Sequence, residues 1–166
     1  DVILPYLLQD ENFNTSIISK DVWSAWSSEE AITAALADYD VVVASPYMTE
    51  EDLTFTNVVV GKKPFLHFNA QTFLSWNANA TLNEATTDTA MVYAEEFYYH
   101  PVFGSVDLDE EKLEIPSFFS ALSSGVKVNA ADNQYVLASL NETGAAVIFE
   151  DYSVPAAKYV FMDMSA

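Results

Sequence analysis

The pattern of apolar and polar positions predicts two fully buried strands in the first half of the chain. Residues 41–44 read Val-Val-Val-Ala and end at a Ser-Pro pair, and residues 64–68 read Pro-Phe-Leu-His-Phe. A strand that is apolar on both faces needs cover above and below, and such strands are typical of parallel sheets flanked by helices. We therefore predict a sheet whose strands are joined by helical connections.

Helix signals lie on either side of the first of these strands. A Ser-Ser pair at residues 27–28, followed by two glutamates, predicts a helix that runs to about Ala37. Residues 49–60 begin with a threonine and have an aspartate three positions later, which resembles a capping box and predicts a second helix that Gly61 stops. Apolar residues at helical spacing predict a further helix over residues 1–9.

Shorter elements complete the pattern. Weak alternation predicts a strand at residues 15–19, and a short helix is predicted at residues 71–76, followed by a polar loop over residues 77–88. Residues 100–104 predict a turn before an acidic loop, and a hairpin turn is predicted near residues 141–144. Further strands are predicted over residues 89–94, 126–129, 135–140, 145–150 and 158–164.

This order of elements predicts an α/β fold. We expect a flavodoxin-like, doubly wound and mainly parallel sheet with helices on both faces and a β-rich C-terminal part. No linker and no internal repeat interrupts the sequence, so we predict a single domain over residues 1–166.

The charge balance narrows the range of partners. The chain carries 25 acidic residues, six lysines and no arginine, which gives a net charge of −19. Such a field repels phosphate backbones and anionic lipids, and no apolar run reaches the length that a bilayer requires. We therefore expect neither nucleic acid binding nor membrane insertion, whereas a content of 51% hydrophobic residues predicts a folded core.

We predict no metal and no cofactor. The acidic clusters lack the ligand spacing of a calcium loop, and the two histidines belong to no zinc motif. The four glycines form neither a dinucleotide fingerprint nor a phosphate-binding loop. The sequence also has no cysteine and no Gly-x-Ser-x-Gly elbow, so it contains no motif for a thiol or serine nucleophile.

The candidate site lies at the end of the second predicted strand. His67 and Asn69 fall on one side of that strand by its period of two, where they would face a crevice as a general base and a hydrogen-bond donor. Trp76 would add an aromatic platform for a sugar, and His100 would orient a ligand. The alternative is that His67 is a core histidine, Trp76 a core or rim residue and His100 a structural turn residue.

Three segments resemble a known superfamily. They are Gly-Lys-Lys-Pro-Phe-Leu-His-Phe-Asn-Ala at residues 61–70, followed by Phe73 and Trp76, His-Pro-Val-Phe-Gly at residues 100–104, and Ala-Ala-Val-Ile-Phe-Glu at residues 145–150. Together they resemble the class I glutamine-amidotransferase-like superfamily, nearest its ThuA-like (trehalose-utilisation) branch. The resemblance implies a flavodoxin-like sheet whose first strand lies upstream of residue 1.

The chain departs from that superfamily where its glutaminases are catalytic. Those enzymes carry a cysteine nucleophile after the strand equivalent to residues 64–68 and a late His-x-Glu pair. Here residues 69–71 read Asn-Ala-Gln, and no histidine follows His100. The resemblance therefore implies an amidotransferase-like domain without amidotransferase chemistry.

Three functions are consistent with the sequence. The first is a non-catalytic accessory or ligand-binding domain, linked to carbohydrate, in an exported bacterial protein that is extracellular or periplasmic, with the cytoplasm as the alternative location. The second is an enzyme acting on a sugar derivative, with His67 as general base and with Asn69 and His100 as orienting groups. The third is an interaction domain that binds other domains of the same parent protein or a second copy of the chain.

Overall fold

A computed structural model describes most of the chain, which divides into two compact units after Ala37. The described residues are 12–45, 58–75, 79–83, 90–93, 95–97, 99–103, 112–114, 125–141 and 143–162. The predictions of a helix over residues 1–9 and of a helix start at Thr49 lie outside them.

The N-terminal unit contains two short helices, α1 (Lys20–Trp23) and α2 (Glu29–Ala35). Helix α2 confirms the predicted start, because the Ser28 hydroxyl accepts a hydrogen bond of 3.2 Å from the Ala31 N–H. The strand predicted at residues 15–19 is wrong, since this segment has no regular structure. Its weak alternation finds no partner strand in the described unit, and a strand needs a ladder to pair with.

The second unit is built on one sheet of nine described strands. In chain order they are β1 (Val42–Val43), β2 (Phe65–His67), β3 (Ala80–Leu82), β4 (Ala90–Tyr93), β5 (Lys112–Glu114), β6 (Val126–Val128), β7 (Gln134–Leu140), β8 (Ala146–Asp151) and β9 (Tyr159–Met162). The spatial order is β1-β2-β9-β8-β7-β4-β5. Strand β6 lies on the same edge of β8 as β9 does: β6 pairs with the first residue of β8, and β9 pairs with later residues of β8. One helix, α3 (Ala70–Leu74), follows β2.

The sheet is mixed, which corrects the expectation of a mainly parallel sheet. Only β1 with β2 and β2 with β9 are parallel, whereas the other six of the eight described pairings are antiparallel. Two of these antiparallel pairings, β7 with β8 and β8 with β9, follow from short connections in the C-terminal part, since a short connection reverses the direction of the chain. The predicted β-rich C-terminal part is confirmed, and the fold is a mixed α/β fold with few helices.

Strand β1 is shorter and less buried than predicted. Val41 and Val43 are 47% and 39% exposed, although the sequence pattern indicated burial on both faces. The reason is position: β1 ends the order of the described strands, and an end strand does not share the two-sided cover of a central strand. The strand predicted at residues 64–68 is confirmed as β2, in which Phe65 and His67 are buried.

Most of the other predicted elements are confirmed, but the sequence analysis missed two strands. The structure confirms the helix end at Gly61 and the short helix, which is α3. It also confirms the strand of residues 89–94, the four C-terminal strands and the 141–144 hairpin. However, β3 lies in the predicted polar loop and β5 in the predicted acidic loop. Both are three residues long, and three residues are too few to distinguish a strand from the polar and acidic sequence around them.

Register assigns the side chains near the sheet centre to two faces. His67 pairs with Phe161, which pairs with Phe149, so these three side chains share one face, the Phe149 face. Leu66 pairs with Val160, which pairs with Glu150, and these point to the opposite side, the Glu150 face.

Each face has its own described cover. On the Phe149 face, Phe73 of α3 packs against Phe149, Tyr159 and Phe161 with ring centroids 5.1, 6.0 and 4.7 Å away. On the Glu150 face lie two 3-10 turns, Glu95–Phe97 and Pro101–Phe103, since Phe97 packs against Tyr135 and His100 contacts Glu150. We expected helices on both faces, and among the described residues of this unit a short helix covers one face and 3-10 turns cover the other.

We predict that Phe73→Ala lowers the free energy of unfolding by about 3–5 kcal/mol, because it empties the centre of the aromatic cluster. Phe73 is 0% exposed, whereas Phe13, the matched control, is 55% exposed. Phe13→Ala should change stability by less than about 0.5 kcal/mol. Urea unfolding of both variants is the measurement, and equal small losses would contradict this account of the core.

Candidate binding cleft around Glu150

A buried carboxylate is the central feature of the Glu150 face. Strand β8 continues from an apolar run, Ala145 to Phe149, into Glu150, which is only 2% exposed. Strand β8 is a central strand with neighbours along both edges, and on the Glu150 face the segment that contains Phe97 and His100 lies over it. A carboxylate in such a place is stable only when other groups satisfy its charge and its oxygen atoms.

Three side chains satisfy Glu150. His100 Nε2 lies 3.2 Å from Oε2, and the Tyr152 hydroxyl donates to the same oxygen over 2.8 Å. The Lys158 ammonium lies 2.9 Å from Oε1. Both carboxylate oxygens are therefore occupied, one by the ion pair and the other by two neighbouring donors.

Local structure explains why these groups meet. Tyr152 follows β8 two residues after Glu150 and so extends on the same side of the chain. Residues 152–158 then turn back through the 3-10 turn Pro155–Ala157, and the antiparallel pair of Asp151 with Tyr159 brings Lys158 beside Glu150. His100 comes from the connection between the two 3-10 turns that lie on this face.

Lys158 is held by both a charge and an aromatic ring. Its ammonium group lies 4.7 Å from the centre of the Tyr152 ring, a distance typical of a cation–π contact. Burial alone lowers the pKa of Lys158, but hydrogen bonds and attraction from Tyr152 and Glu150 outweigh burial, and the pKa is raised. Lys158 therefore keeps its positive charge through the neutral pH range.

An aromatic wall stands beside the carboxylate. Phe97 packs edge-on against His100 and against Tyr135, with ring centroids 6.3 and 5.6 Å away, and Tyr135 packs edge-on against Tyr152 at 5.9 Å. These four rings and Glu150 line a cleft of about 330 Å³. Tyr135 is 39% exposed, so one aromatic ring faces solvent above a satisfied buried charge.

The predicted site residues His67 and Asn69 lie together, but on the other side of the sheet. His67 is 0% exposed on the Phe149 face, and its Nδ1 accepts a hydrogen bond of 3.2 Å from the Asn69 N–H. The Asn69 side chain in turn accepts from the Thr72 N–H over 3.1 Å and caps α3. Burial lowers the pKa of His67 to about 3. These contacts agree with the core alternative for His67.

The other two predicted site residues are His100 and Trp76. His100 lines the cleft, and its Nδ1 accepts from the Val102 N–H over 3.3 Å. Trp76 lies outside the described residues. Because His67 and Glu150 point to opposite faces, His67 and His100 do not share the cleft.

Sequence reasoning missed most of the cleft. Glu150, Tyr152, Lys158 and Tyr135 were not singled out, although one signal was present. Glu150 is a charged residue that directly follows five apolar residues, and such a residue at the end of a buried strand needs partners. The partners themselves depend on the return of the chain after β8, which no local pattern shows.

The described part of the chain has neither a metal-binding cluster nor a membrane-spanning helix. It contains no cluster of three or more histidine, aspartate or glutamate side chains placed to hold a metal ion. Its helices include none that is long and apolar enough to cross a membrane.

Comparison with known proteins gave no relative: no family model, no curated protein and no solved structure matches this chain. The amidotransferase-like assignment therefore remains a proposal that rests on the sequence segments.

We predict that His67 makes the protein less stable in acid. Its pKa is about 3 when folded and 6.5 in the reference state, so between these values the unfolded chain binds a proton that the folded chain does not. Stability therefore falls as pH decreases from 6.5 towards 3, by up to about 1.4 kcal/mol per pH unit from this residue.

Urea unfolding of the wild-type protein and His67→Asn across this pH range tests the assignment. Other groups titrate in both proteins, so the difference between the two slopes isolates His67. The variant should lose less stability per pH unit than the wild type. Parallel curves would show that His67 titrates normally in the folded protein.

Proposed function

We propose that this protein is a non-catalytic ligand-binding domain whose cleft on the Glu150 face holds a small neutral ligand, of which a sugar ring is the leading class. One observation carries the proposal: a buried, neutralised carboxylate lies beside an aromatic wall in an open cleft of about 330 Å³. Apolar walls with a few placed polar groups are the usual composition of a small-molecule site.

Size and charge support this ligand class. The volume lies at the low end of the range for small-molecule pockets, so the cleft suits a ligand of one or two rings. Glu150 and Lys158 cancel each other's charge, and a charged ligand would leave one charge uncompensated in a partly buried place. A sugar needs no counter-charge, and it can stack on Tyr135 while its hydroxyl groups hydrogen-bond to the polar groups.

An enzymatic function receives less support. The general base expected from the sequence, His67, is fully buried on the opposite face, and a base must reach the proton that it removes. The five lining residues are Phe97, His100, Tyr135, Glu150 and Tyr152, and both ring nitrogens of His100 already have partners. None of the five is a serine, threonine or cysteine that would serve as an acyl-transfer nucleophile.

The proposal includes the amidotransferase-like assignment and a flavodoxin-like, doubly wound core. Parallel pairing of β1, β2 and β9, with a helix directly after β2, supports that core. His100 and Glu150 also fall in two of the segments that carry the resemblance. An extracellular or periplasmic location in a bacterium is part of the same proposal, supported only by the acidic, arginine-free composition.

We predict that neutral sugars bind in the cleft and that Tyr135→Ala weakens binding at least tenfold, because the variant loses the exposed ring. Isothermal titration calorimetry with glucose, trehalose and cellobiose at millimolar concentration is the measurement. Tyr99→Ala is the matched control, since Tyr99 is 93% exposed and does not line the cleft. Absence of saturable binding to the folded wild-type protein would overturn the proposal.

A second candidate function is an interaction domain, and two exposed valines favour it, one directly before β1 and one within it. Val41 and Val43 are large apolar side chains at the last described strand of the sheet, where an edge can add a strand from another chain. Either a second copy or another domain of the same parent protein would suit this edge.

We predict under this second candidate that the protein self-associates as its concentration rises and that Val43→Lys reduces the association. A lysine on an edge strand opposes pairing by its charge. Light scattering over a concentration series measures both effects. A monomer at all concentrations would exclude the second copy as the partner.

A further inference from the structure

We propose that Lys158 determines which ligands the cleft accepts, because its ammonium group occupies a cation site that Glu150 and Tyr152 form. This inference rests on the cleft being the binding site proposed above. It adds the chemical class that the cleft excludes, organic ammonium ions, and names the residue that excludes them.

The geometry is that of a bound ammonium ion. One carboxylate oxygen of Glu150 lies 2.9 Å from Nζ, and the Tyr152 ring centre lies 4.7 Å from it. A carboxylate and an aromatic face are the groups with which proteins recognise amines and quaternary ammonium ligands. Here the cation is supplied by the chain itself.

The cation site adjoins the cleft. Glu150 and Tyr152 belong to both, since they line the cleft and also contact Lys158. The Lys158 side chain is 33% exposed, so its place is accessible from solvent. A small ammonium ion can therefore reach the same place once the lysine charge is removed.

The strong negative charge of the protein gives a reason for excluding ammonium ions from the cleft. With a net charge of −19, the protein attracts cations from solution. An aromatic cleft around a buried carboxylate would then collect amines unless that carboxylate already had a cation. Lys158 supplies one, and an incoming ammonium group meets a like charge instead of a free carboxylate. Neutral ligands meet no such barrier.

Removal of the lysine charge tests the inference. Lys158→Met keeps most of the side-chain length but removes the cation from Oε1, so that the described contacts of Glu150 are then the two donors on Oε2. Ethylammonium chloride should then raise the Tm of the variant well above the effect of sodium chloride at equal concentration, because its ammonium group supplies the cation that Glu150 has lost. The wild-type protein should show no difference between the two salts.

Three further variants make the result specific. Lys158→Gln is a second neutral variant with the same expected response, which covers the case in which Lys158→Met does not fold. Lys158→Arg keeps a cation in the site and should respond like the wild type. Glu150→Gln combined with Lys158→Met removes the carboxylate and should abolish the ethylammonium effect. Equal responses of the double variant and Lys158→Met, or no response of either neutral variant, would overturn the inference.

Ligand selectivity separates this inference from the proposed function. If the cleft binds sugars, Lys158→Met should bind glucosamine at least tenfold more tightly than glucose, whereas the wild type should not prefer the amine. If ethylammonium rescues the variant while no sugar binds the wild type, the cation site stands and the sugar-binding proposal fails. If the wild type binds glucose but neither neutral variant gains affinity for amines, the inference about Lys158 fails alone.

Discussion

Strand β8 is the constraint on which the sheet unit depends. It has β7 along one edge and β6 and β9 along the other, and its side chains from Ala146 to Glu150 are buried whichever face they point to. Phe149 on one side completes the aromatic cluster around Phe73, and Glu150 on the other side requires partners for its charge. One residue step along this strand therefore separates the packed core from the proposed site.

The cost of burying Glu150 organises the cleft around it. A carboxylate cannot remain ionised in such a place without a counter-charge and hydrogen bonds. His100 supplies one contact from the segment of 3-10 turns, and Tyr152 and Lys158 supply the others from the β8–β9 connection. The same contacts tie the segment of 3-10 turns and the β8–β9 connection to the sheet. The arrangement that stabilises the charge therefore also fixes the positions of the residues that line the cleft.

Local patterns predicted the individual elements better than their assembly. The cap at Ser28, the strand that contains His67 and the β7–β8 hairpin are short-range features, and each is present where the sequence indicated. Strand direction and edge position are long-range features. The valines of β1 have the sequence of a central strand, but they lie at the end of the described order, and no property of those residues reveals which strand becomes their neighbour.

The two histidines show why residue type and local motif were not enough to find the site. Each accepts a hydrogen bond at Nδ1 from the backbone N–H two residues later, Asn69 for His67 and Val102 for His100. The same local hydrogen bond thus holds the ring in both cases. Their difference comes from the sheet: His67 is enclosed with Phe65 on the Phe149 face, whereas His100 Nε2 meets Glu150 at the cleft. The face on which a histidine lies, and the carboxylate opposite it, decide whether it belongs to the core or to a binding site.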